Sequence, residues 1–190
     1  MTDHFDKSLN PCKIENTDSG FRLLANAKTD FICKYKAYIK DEAALFYTER
    51  TGDFTIQAEV ETKGNFAYDA AFLMVRESKT RWIKLAVELG VHITYNVVSV
   101  ITNDWSDDAN GELLPANKCW LRITRKGNFW GLHYSLTGKK WIFVRCFGLD
   151  LPPSVKVGFG IQAPVGDNCQ GVLDGILISN KAIENFRDGS

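Results

Sequence analysis

The residues best suited to chemistry lie on one short stretch, Trp82-Ile83-Lys84-Leu85-Ala86-Val87-Glu88-Leu89. Ile83, Leu85, Val87 and Leu89 alternate with Trp82, Lys84, Ala86 and Glu88, the pattern of a strand with one buried face. On the second face Lys84 and Glu88 flank the small Ala86, which leaves a hollow floor between an ammonium and a carboxylate. Such a pair can hold hydroxyls or a small anion through charge-assisted hydrogen bonds. It can equally form a surface ion-pair network contributing under about 1 kcal/mol per pair. Arg122, between Leu121 and Ile123, faces outward from its own strand and joins the same concavity if both strands share a sheet.

Other polar groups gather at strand ends. Asp104-Trp105-Ser106 supplies a carboxylate, a flat ring and a hydroxyl, a mix that suits a sugar, or else a loop anchor with Trp105 plugging an edge. Tyr68-Asp69 precedes the apolar run from Ala70. Asp30, ahead of Phe31-Ile32-Cys33, either rims a site or closes an Asx-turn. Glu59 and Glu61 stand two residues apart on one strand face, roughly 6.5–7 Å along the backbone. Retaining glycosidases need two carboxyls about 5–5.5 Å apart, but a solvated sheet face also carries glutamates, and that reading is preferred here. His4, His92 and His133 are scattered without metal-ligand spacing, so neither a metal nor a cofactor is expected. Ser135 reads as hairpin chemistry rather than as a nucleophile.

The elements that must position these groups are strands. Residues 54–62 alternate most cleanly, with Phe54, Ile56, Ala58 and Val60 facing a core. Residues 70–76 are apolar on both sides and read as an interior strand. Residues 82–89 and 91–101 form a hairpin pair about Gly90. Further strands are expected near 21–25, 119–125, 129–135, 141–147, 155–163 and 172–178. Residues 1–20 read as an irregular lead-in, 41–45 as a helical turn or loop, and the acidic stretch 103–117 as a surface loop. Short strands without helical periodicity mean two packed antiparallel sheets or a barrel, most simply one domain over residues 1–190.

Lysine plus arginine and aspartate plus glutamate both total 23, so nothing steers the chain to nucleic acid or an anionic membrane. The five cysteines show no CxxC, and the N-terminus lacks the apolar core of a signal peptide. A cytoplasmic protein with reduced thiols is expected.

One further pattern spans most of the chain. Thr29-Asp30-Phe31, Gly52-Asp53-Phe54, Tyr68-Asp69-Ala70-Ala71, Trp82 to Glu88, Asp104-Trp105-Ser106, Leu121-Arg122-Ile123-Thr124-Arg125 and Tyr134-Ser135 with Trp141 and Val144-Arg145 follow one another. In this order, from about Asp30 to Ile178, the chain resembles the family named after a regulator of the glycolytic enzyme enolase. The resemblance implies an all-β, antiparallel, concanavalin A-like jelly-roll sandwich. It carries Asp30, Tyr68, Asp69, Lys84, Glu88, Asp104, Trp105, Ser106, Arg122 and Arg125 as motif positions, without an established activity. Ala70-Ala71-Phe72 departs from the family's Gln-Ala-Gly-like run, and Thr137 replaces the Asp of its Ser-x-x-Gly turn.

The expectation is a non-catalytic binding or regulatory protein. Its ligand would be a saccharide or small anionic molecule such as a sugar phosphate, held by all these motif positions except Arg125; its partner would be a metabolic enzyme such as enolase. The alternative is a carbohydrate-active enzyme, with Glu88 and one of Asp30, Asp69 or Asp104 as acid and base.

Overall fold

In a computed structural model residues 5–34 and 38–190 are described, and among them every regular element is a strand. In chain order these are β1 Lys7–Leu9, β2 Lys13–Asn16, β3 Gly20–Leu24, β4 Phe31–Lys34, β5 Tyr38–Asp41, β6 Ala44–Thr51, β7 Phe54–Lys63 and β8 Ala70–Ser78. There follow β9 Arg81–Leu89, β10 Tyr95–Asn103, β11 Ser106–Leu113, β12 Lys118–Lys126, β13 Phe129–Ser135, β14 Ile142–Gly148, β15 Ser154–Gln162 and β16 Gln170–Ser179. One seven-stranded antiparallel sheet runs β1-β6-β15-β8-β9-β10-β11, and a second runs β14-β13-β12-β7-β16-β3-β2. The hairpin β4–β5 stands apart from both.

The two-residue period sets how the sheets pack. On β7, Phe54, Ile56, Ala58 and Val60 have no exposed surface, while Gln57, Glu59 and Glu61 between them are partly open. On β9, Ile83, Leu85 and Val87 enter the same core from the other sheet. That interior removes on the order of a few thousand Å² of apolar surface from water, the dominant favourable term in a sandwich of this kind. β8 lies between β15 and β9 and is buried from Ala70 through Arg76, as its apolar composition on both sides requires.

β15 sits between β6 and β8 and carries Gly158 and Gly160. A Cβ on Gly160 would lie 1.9 Å from the Ala44 carbonyl oxygen and 2.6 Å from the Phe72 ring. Gly160→Ala is therefore expected to cost roughly 1–3 kcal/mol, read as a lower urea midpoint at unchanged m.

Three stretches differ from the sequence expectation. Residues 7–9 and 13–16 are strands at the outer edges of the two sheets, too short and too exposed to show periodicity. Residues 41–45 join β5 to β6 with neither helix nor long loop. Ser106–Leu113 is a strand, β11, paired with β10 from Thr102↔Ser106 to Asn96↔Leu113. As the last strand of its sheet it has one solvated edge and little burial, so polar Ser-Asp-Asp-Ala-Asn-Gly-Glu can serve there.

Candidate functional site

The outer face of the first sheet is half covered. The β4–β5 hairpin lies over it and lowers Phe31 onto Phe72 and Trp82, at ring-centroid distances of 6.0 and 6.4 Å. Phe31, Phe72, Met74, Trp82, Ala86, Val98 and Val100 form a second apolar cluster on this face, separate from the main core. The cover is fastened at both ends. The Asp30 carbonyl accepts from Glu42 N and Ala43 N, and Cys33 N donates to Ser106 Oγ at 2.9 Å.

Lys84 lies beneath this cover, between Met74 on β8 and Val100 on β10. Its side chain is only 2% exposed, which an ammonium tolerates only when paired. Nζ donates to the Phe31 carbonyl at 3.1 Å and to Gln162 Oε1 at 2.8 Å, and lies 3.9 Å from Asp30. The Phe72 and Trp82 rings stand 5.8 and 5.7 Å from it. Asp30 thus forms an ion pair across the face.

Beside Lys84 a cavity of about 670 Å³ remains open between hairpin and sheet. Its floor is Lys84, Glu88 and Gln162; the register Glu88↔Ala70↔Gln162 puts the last two in one row across three strands. Asp108 and Asn110 of β11 form one wall, and Asp30 and Tyr68 another. Tyr38, Lys34 and Lys40 of the hairpin face them. Burial pushes the Glu88 carboxyl up to about 7 against the opposing pull of Lys84, with Asp108, Asp30 and Asp69 adding to the rise. The cavity therefore offers carboxyls, amides and ammonium groups: donors and acceptors in the mixture that a hydroxyl-rich molecule needs.

Tyr68 stands at the mouth, 46% exposed, with φ of 73°. A non-glycine residue in that region is strained unless its surroundings fix it. Here its N–H donates to the Leu89 carbonyl at 2.7 Å and its carbonyl accepts from Gln162 Nε2 at 3.1 Å. Asp69, fully buried, accepts from Asn65 N and Phe66 N at 2.9 and 3.0 Å, shaping the loop that presents Tyr68. Its own carboxyl does not line the cavity, and burial raises its pKa.

The remaining expected site residues lie elsewhere. Asp104 and Trp105 form the β10–β11 turn and Ser106 opens β11, with Asp104 at φ of 62°, and none of the three lines the cavity. Their backbone and hydroxyl groups anchor the hairpin instead: the Asp104 carbonyl accepts from Cys33 Sγ, and Ser106 Oγ also bonds Thr102 Oγ1 at 2.8 Å. Arg122 belongs to the second sheet, because β12 pairs with β7 and β13. It points outward there, with the whole core between it and Lys84. Its guanidinium stacks 3.6 Å over the Trp141 ring and bonds Gln57 and Gly189, and burial brings its pKa down to about 10. Arg125 donates to the carbonyls of Gly127, Leu151, Pro152 and Pro153, a purely structural set. Glu59 and Glu61 pair with Lys118 and Lys63 on the outside of the second sheet.

The structure adds Gln162, Asp108, Asn110 and Tyr38 to the site. Gln162 had a legible signal: Val155, Val157, Phe159 and Ile161 fill the core, so even-numbered residues of β15 share the Glu88 face. Asp108 and Asn110 were hidden in a segment whose composition reads as loop.

The family described as "protein of unknown function (DUF1349)" matches residues 9–181. A protein of Saccharomyces cerevisiae named Regulation of enolase protein 1 is 29% identical over 126 residues, 65% of this chain and 63% of its own length. The match thus spans less than two thirds of that relative. A solved structure of a functionally unknown Saccharomyces cerevisiae protein superimposes with TM-score 0.85 at 23% identity, over 92% of this chain and 96% of that one. The carbohydrate-binding module CBM66 of Bacillus subtilis gives TM-score 0.55 at 13% identity, over 89% and 92% of the two chains. The GH43 protein BlXynB of Bacillus licheniformis gives 0.66 at 12% identity, covering 85% of this chain and 33% of that one. At such identities these structures establish a common β-sandwich fold and nothing more.

Proposed function

The chain belongs to the DUF1349 family of proteins of unknown function, and we propose that it is a non-catalytic binding protein that takes a saccharide into the cavity beside Lys84. The observation that carries this reading is the composition of that cavity. The Lys84 ammonium on its floor is already paired with Asp30 and Gln162, carboxyls and amides that bind hydroxyls line it together with Lys34 and Lys40 of the hairpin, and Tyr68 offers a ring face at the mouth. The fold shared with a carbohydrate-binding module supports the same reading. Isothermal titration with a panel of neutral mono- and oligosaccharides tests it. One class is expected to bind, and Tyr68→Ala to weaken that binding roughly tenfold through loss of the stacking face. Absence of binding across the panel, or indifference to Tyr68→Ala and to Asn110→Ala together, would reject the site.

A regulatory role is the second reading, supported by the relative's name and by the apolar residues Val91, Ile93 and Val165 beside the mouth, 58%, 72% and 44% exposed. Under it the chain contacts a metabolic enzyme such as enolase. Sedimentation of the purified chain with enolase, and enolase turnover with and without it, decide; Ile93→Asp is expected to abolish any effect. Five free thiols fit a cytoplasmic setting for either role. The enzymatic alternative is favoured only by the raised pKa of Glu88 near Asp30 and Asp108, and would require release of reducing sugar that Glu88→Gln abolishes.

A further inference from the structure

Building on the saccharide reading, we infer that the cavity receives the end of a saccharide chain and excludes its interior, with Phe31 as the residue that sets this choice. A polymer bound along its middle needs a trough open at both ends across the strands of a sheet. On the outer face of the first sheet the cross-strand registers define the rows such a trough would follow. One row runs Gly160, Phe72, Ala86, Val98, and the next Gly158, Met74, Lys84, Val100. Every side chain in both rows is at most 2% exposed. Phe31 of the hairpin, which itself has no exposed surface, lies over Phe72 and Lys84 and joins the apolar side chains of these rows in one cluster.

This cover is part of the packed structure. Phe31 rests on Phe72 and Trp82, the Arg76 guanidinium stands 5.3 Å from its ring centre, and its carbonyl accepts a hydrogen bond from the buried Lys84 Nζ. Displacing it to admit a polymer would remove one hydrogen-bond acceptor from that buried ammonium and leave it with Gln162 and Asp30 alone. Into the cavity open Glu88 and Gln162 of the neighbouring row and, from the covered rows, only the ends formed by Lys84 and Val100. A ligand entering past Tyr68 meets Lys84, with Phe31 over it, as a closed end. The volume of about 670 Å³ lies within the range of pockets that enclose small molecules.

The test uses the unmodified protein. Xylo-, gluco- and fructo-oligosaccharides of one to six units are titrated calorimetrically, with the matching polymers before and after limited hydrolysis at fixed mass. The expected result is a Kd per molecule that changes less than about twofold beyond the second unit, and a binding capacity per gram that rises in proportion to chain ends. A Kd that falls tenfold or more from two to six units, with capacity following mass, overturns end recognition and leaves the saccharide site standing. No heat with any member of the series overturns both.

Discussion

Lys84→Met is expected to lower the unfolding free energy by about 3–5 kcal/mol, because it breaks a buried ion pair from one side. The substitution keeps the side chain's bulk and its apolar contacts with Phe72 and Trp82, so packing loss is small. What it removes is the donor to the Phe31 carbonyl and to Gln162, and the counter-charge of Asp30, whose side chain is 15% exposed. For a domain of this size that corresponds to a fall in Tm of roughly 6–20 °C. Asp30→Asn relieves the stranded carboxylate, so the double variant should lose clearly less than the two single losses added. Thermal and urea unfolding of the four proteins measure this cycle. Strict additivity, or a loss under about 1 kcal/mol for Lys84→Met, would mean that Lys84 is solvated and the hairpin does not cover it.

The second large effect is the loss of a pH-dependent contribution to stability. Burial raises the Glu88 pKa from 4.5 to about 7, so the folded chain binds this proton more tightly than the unfolded chain does. Its contribution is most favourable below pH 4.5, falls as pH rises, and has been lost above pH 7. The full swing is at most about 3 kcal/mol. Glu88→Gln removes it: the variant should gain on the wild type progressively between those two pH values and hold a constant advantage above. His133 opposes the wild-type slope, since burial lowers its pKa and folding then releases a proton, but it is present in both proteins and cancels in the difference. Urea midpoints at half-unit steps from pH 4 to 8 read the difference directly. Parallel profiles would show that the Glu88 carboxyl is solvated.

How far the sequence could be read depended on burial. Where one strand face meets the core, the two-residue period is unmistakable, and β7, β9 and β12 follow their apolar positions. The face carrying Lys84 and Glu88 was equally legible, since those residues must oppose Ile83, Leu85 and Val87. Edge strands were not, because β1, β2 and β11 answer to a single neighbour and to water, and their sequences carry hydrogen-bonding partners rather than a pattern. Sheet membership was also hidden. Arg122 has the alternation of a sandwich strand, and alternation is identical in either sheet; only the pairing of β12 with β7 and β13 assigns it to the far side. The covering hairpin was the least legible element, because Phe31-Ile32-Cys33 reads only as a short apolar segment behind Asp30, whereas Phe31 packs on the outside of the first sheet. That single placement turns an open face into a pocket.

The most direct measurement is an amide NMR titration of the isotope-labelled chain with whichever saccharide class binds. The expected shifts cluster at Glu88, Asn110, Gln162, Tyr68 and Asp30 and leave the second sheet silent. Shifts centred on Arg122 and Trp141 instead, or none at the residues around Lys84, would contradict a binding site beneath the hairpin.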